Sequence, residues 1–90
     1  LRLSQTLADY IESLWDKGFK LTDEQVRFIY FGKKYTDANE EITKAALEAT
    51  LRLQFYFDRS FYISLLELLK EHHITSWIDA RQLFKEKGIQ

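Results

Sequence analysis

Across 90 residues there is no proline, and the three glycines, Gly18, Gly32 and Gly88, stand singly. A chain so poor in breakers has few places to turn, and its apolar residues recur at helical rather than alternating spacing. Together these features predict an all-α fold. Polar caps and stops divide it into a bundle of about five helices, over residues 4–17, 23–33, 38–57, 60–72 and 77–87.

Each boundary has a local reason. In the first helix, Leu3, Leu7, Tyr10, Ile11, Leu14 and Trp15 share one face, opposite Gln5, Asp9, Glu12 and Asp16. Ser4 is the expected cap and Gly18 the stop. Thr22-Asp23-Glu24-Gln25 reads as a capping box with two acids where the helix dipole favours them. Thr36 or Asp37 is the expected cap of the third helix, which carries Ala45, Ala46, Ala49 and the i,i+4 pairs Glu40–Lys44 and Glu48–Arg52. The apolar face slips by about a quarter turn after Asp58, so a break at Asp58-Arg59-Ser60 is expected, with Ser60 opening the fourth helix. One continuous helix through both segments is the alternative. Ile74-Thr75-Ser76 repeats the turn-and-cap pattern of Leu21-Thr22-Asp23, suggesting two helical hairpins joined by a long third helix.

The length suits one domain, residues 1–90, able to bury its own core. Without Cys, disulfides, thiolate chemistry and Cys-ligated zinc are excluded, which favours a reducing, cytoplasmic setting. The lack of Met points to a processed, trimmed or excised segment. No run approaches the ~18 apolar residues of a membrane span, and no signal-peptide pattern is read at the start.

Enzymatic chemistry finds little support. Adjacent His72 and His73 diverge by about 100° on a helix and cannot chelate one metal as an i,i+4 pair could; a solvent-facing helix C-terminus is the expected setting. Asp23-Glu24 and Glu40-Glu41 lie in first helical turns, where dipole compensation accounts for them. No strained-turn Ser or phosphate-cradling Gly loop occurs. No catalytic residue, metal ligand or cofactor is assigned.

Rings are the unusual feature. Seven Phe, five Tyr and two Trp make up 16% of the chain, and "RFIYFGKKY" from Arg27 to Tyr35 concentrates four of them among three cations. On a helix, Val26, Ile29 and Tyr30 share one face, while Phe28, Phe31 and Tyr35 lie roughly opposite. The third helix has the same two-sided character, since Leu47, Leu51 and Phe55 form an i, i+4, i+8 stripe behind Ile42, Ala46, Ala49 and Leu53. A small bundle can enclose one such helix more readily than two, so at least one second stripe is expected to meet another chain. The candidate partner-binding residues are Arg27, Phe28, Phe31, Lys34 and Tyr35; Leu47, Leu51 and Phe55 are the second candidate interface.

The expected function is therefore protein–protein contact, as a homodimeric regulatory or scaffold subunit. Nucleic-acid binding is the alternative, through the basic and aromatic residues of Lys17–Tyr35 or through Arg81, Gln82, Lys85 and Lys87 of the fifth helix. A net charge of −1 argues against it, because phosphate binding supplies most nucleic-acid affinity.

Overall fold

Side-chain caps open every helix in the computed structural model, which describes residues 6–89. α1 (Leu7–Ser13) starts at Thr6, whose hydroxyl accepts from the Asp9 amide, and runs into a 3-10 turn over Leu14–Lys17. Ser4, the expected cap, lies outside the described residues. α2 (Asp23–Tyr35) begins with the anticipated capping box: Thr22 accepts from the Gln25 amide, and the Gln25 side chain accepts from the Thr22 amide. α3 (Glu40–Gln54) is capped by Asn39, α4 (Arg59–Glu71) by Asp58 and α5 (Trp77–Glu86) by Ser76.

Three of these boundaries differ from expectation. Thr36 does not open α3. It closes α2, donating its hydroxyl to the Gly32 carbonyl at 2.8 Å, so α2 runs two residues past the expected end. The third and fourth helices are separate, and Asp58 rather than Ser60 caps α4, accepting from the Phe61 amide at 3.1 Å. α3 stops at Gln54 because Phe55 enters the left-handed region, at φ 65°. Elsewhere the same stop is reached through Schellman turns. Gly18, Asp37, His73 and Gly88 each take positive φ, and the next amide returns to the carbonyl five residues before it. His73 thus terminates α4 instead of extending it.

α3 is the axis of the fold, packed against all four other helices. Ile42, Thr43, Ala45, Ala46, Leu47, Ala49, Thr50 and Leu51 are all buried. Small side chains at 43, 45, 46, 49 and 50 let neighbouring backbones approach from several directions. The two buried threonines cost little, because Thr43 and Thr50 donate their hydroxyls to the carbonyls of Asn39 and Ala46, at 2.8 and 2.7 Å. The strongest pairings are α3 with α4 and α3 with α5, while α1 and α2 each lean on α3 more than on one another. That arrangement replaces the two expected hairpins with a hub.

Acids of α3 also hold the starts of two neighbours. Glu40 accepts the Leu7 amide and Glu41 the Trp77 amide, both at 2.9 Å. Leu7 and Trp77 are the first residues of α1 and α5, whose amides have no partner within their own helices. The acid pair therefore does more than offset the α3 dipole.

The central position of α3 corrects one expectation. Leu47 is 0% and Leu51 3% exposed, so both belong to the core of this chain. They present no second interface. Phe55, the third member of that stripe, is 80% exposed, but it sits beyond the helix in the α3–α4 linker.

Candidate interaction surface

α2 reaches the core along Ile29, Gly32 and Thr36, all buried. The fit depends on Gly32. A Cβ there would lie 2.8 Å from Tyr62 Cε2 and 3.1 Å from both Ile63 Cδ1 and Leu66 Cδ1. Tyr62 is fixed in turn: its buried hydroxyl donates to the Ile29 carbonyl at 2.7 Å. Burial pushes the Tyr62 phenol well above its ordinary pKa, so it remains a donor.

From this seam a ladder of rings climbs to the surface. Tyr62 packs on Phe57 at 5.3 Å between centroids, and Phe28 lies 6.1 Å from Phe57 and 6.3 Å from Tyr62. Phe31 follows at 5.6 Å from Phe28, and Tyr35 stacks on Phe31 at 5.6 Å with ring planes only 16° apart. Phe28 is half-buried; Phe31 and Tyr35 are 55% and 62% exposed. Spacings of three and four residues bring consecutive side chains together along one helix face, and this produces the ladder.

Charge surrounds the upper rungs. At 100° per residue, Arg27, Phe31, Lys34 and Tyr35 fall within an arc of about 100°, and Glu24 falls inside the same arc. Arg59 of α4 covers the outer face of Phe28, 5.3 Å from the ring centroid, and reaches Glu24 at 3.8 Å. That ion pair is exposed on both sides and contributes little. Phe57 ties the α3–α4 linker to Phe28, bringing the segment with exposed Phe55 and Tyr56 to the same edge of α2.

The five sequence-selected residues thus divide by depth. Phe31, Tyr35, Arg27 and Lys34 are exposed, whereas Phe28 is the half-buried footing. The lysines before α2 are partnered by rings of the first helical segment. Lys17 lies over Tyr10, at 5.6 Å, and Lys20 over Trp15, at 5.5 Å, both belonging to the α1 end of the fold. Sequence reasoning missed Arg59 and did not link Phe55, which it placed on a stripe with Leu47 and Leu51, or Tyr56 and Phe57 to the α2 rings, although the density of rings in Phe55-Tyr56-Phe57 was a signal. Among the described residues, no three His, Asp or Glu side chains gather as a metal site, and no helix is long and apolar enough to cross a membrane.

The chain belongs to a family of unknown function, DUF6123, whose model matches residues 2–90. No curated protein and no solved structure matches it.

Proposed function

We propose that this protein acts through protein–protein contact, as a small regulatory or scaffold subunit that pairs with a second copy of itself through α2. The observation that carries the reading is the stacked, exposed Phe31–Tyr35 pair standing on a ring ladder anchored in the core. Rigid aromatic groups with a fixed footing lose little entropy on being covered, and aromatic residues and Arg dominate interface energetics.

The charge pattern along α2 supports a second copy as occupant. Asp23 and Glu24 open the helix; Lys33 and Lys34 close it. A two-fold axis near Phe28 and Phe31 sets two such helices antiparallel, so each acidic end meets the partner's basic end. Glu24 and Lys34 are about ten residues apart, roughly 15 Å along the axis, and the rings fill the space between. A standard interface covers ~800 Å² per partner, more than one helix face provides, and the linker aromatics Phe55 and Tyr56 extend the apolar edge.

Sedimentation equilibrium tests this reading. Phe31→Ser should yield a folded monomer, because the ring is largely exposed in the single chain. Glu24→Lys and Lys34→Glu should each weaken pairing, and the double variant should restore it. Pairing unaffected by Phe31→Ser would refute the assignment.

A further inference from the structure

A second feature lies on the α3–α5 side of the molecule and is independent of the α2 surface. Arg52 of α3, with Arg81, Gln82, Phe84 and Lys85 of α5 and the following Ile89, lines a concavity of about 290 Å³. Its three charged lining residues are all cations, on a chain whose net charge is −1. Cations around a concave, low-dielectric surface concentrate positive potential there.

The local structure keeps these cations available. Glu48, four residues before Arg52, accepts from the Trp77 indole at 3.0 Å, and among the described residues Arg52 forms no ion pair. The same Trp77 ring carries the Arg81 guanidinium 4.9 Å from its centroid. Glu48, Trp77 and Arg81 therefore make a relay that restricts where the guanidinium sits. Glu86, the acid nearest the rim along α5, accepts from the Gln82 side chain at 3.2 Å. A buried Phe84 forms the floor. Ile89 is turned back against it by the Schellman turn at Gly88, where the Ile89 amide reaches the Phe84 carbonyl at 2.7 Å.

We propose that this concavity binds a small phosphoryl anion, such as a phosphate ester or diphosphate, with Arg52 and Arg81 as the principal ligands and Lys85 as a supporting charge. Two guanidiniums offer the planar forks that match phosphoryl oxygens, and Lys adds a point charge. The volume, at the low end for ligand pockets, suits a small ligand or a single headgroup. The apolar floor excludes water on one side of the bound group, which strengthens these contacts.

Calorimetric titration with inorganic pyrophosphate, with chloride adjusted to hold ionic strength constant, tests the proposal. Saturable binding is expected, and Arg52→Gln or Arg81→Gln should each weaken it about tenfold or more. Arg59→Gln, a cation change on α4, should leave it unaltered. Lys85→Gln serves as a further pocket variant if either Arg variant melts early. No saturation at about 10 mM pyrophosphate, or equal losses from Arg59→Gln, would overturn the assignment. A phosphate monoester and an oligonucleotide without terminal phosphates separate the sources. Binding of the monoester supports a small ligand, whereas binding of the oligonucleotide alone overturns it in favour of a nucleic-acid backbone.

Discussion

Replacing Gly32 by Ala should destabilise this protein, although the exchange is normally favourable inside a helix. Helix propensity alone would favour Ala by about 1 kcal/mol. Against this stands the α2–α4 seam, where the new Cβ would meet Tyr62 Cε2 at 2.8 Å and two further side-chain carbons at 3.1 Å. Ile63 and Leu66 can give at their methyl ends. Tyr62 cannot do so cheaply, because its ring is fixed by the hydroxyl bond to the Ile29 carbonyl and by packing on Phe57 and Phe28. Overpacking of this kind costs about 1–3 kcal/mol, so the net effect is a loss of about 1 kcal/mol, with α2 displaced outward. Urea denaturation followed by circular dichroism measures it, and a midpoint decrease of roughly 4–8 °C on heating should accompany it. Stability raised by about 1 kcal/mol, as propensity alone implies, would refute the view that Gly32 seats α2 and its ring ladder.

Three other predictions follow the same logic. Asp58→Ala should lower stability by about 1 kcal/mol in urea denaturation through loss of the α4 cap, while Ser60→Ala should change little. His73→Gly should raise the melting temperature slightly, by about 0.5 kcal/mol in stability, because His73 is held at φ 57° where glycine carries no Cβ penalty. Stability should also fall in alkali: burial first, and then the Glu48 carboxylate, push the Tyr10 phenol from 10 up to about 12 against an opposing pull from Arg52. That contribution is complete below pH 10, declines as the unfolded chain ionises first, and is lost through pH 12; it amounts to about 2–3 kcal/mol, and Tyr10→Phe should flatten the slope in denaturation series across this range.

Much of the fold was legible because its signals are local. The Thr22–Gln25 box, the Gly18 and Gly88 stops and the apolar periodicity act within a turn or two of chain. The α3–α4 junction was harder, since Asp58 and Ser60 are both good caps and Phe55 enters the left-handed region without being glycine or asparagine. Extending the helix through Phe55 created an apparent stripe with Leu47 and Leu51, which are in fact enclosed by helices from elsewhere in the chain. Their burial depends on which of two two-sided helices becomes central. The small residues of α3 pointed that way, whereas the bulky rings of α2 cannot be packed on all sides. The rings at 28, 31 and 35 were visible at helical spacing, but their depth was not, because it depends on Tyr62 and Phe57. Nor could spacing reveal that Glu40, Glu41 and Glu48 reach Leu7 and Trp77, or that Arg52 lines one concavity with Arg81 and Lys85.

The central claim is that the Phe31–Tyr35 surface of α2 is covered by a second copy of the chain. Light scattering across protein concentration, at low and at high salt, tests it most directly. The account predicts a mass approaching twice 10.8 kDa that persists in high salt, because apolar burial is not screened although the Glu24–Lys34 contacts are. A mass that stays at 10.8 kDa at every concentration and salt level would contradict it.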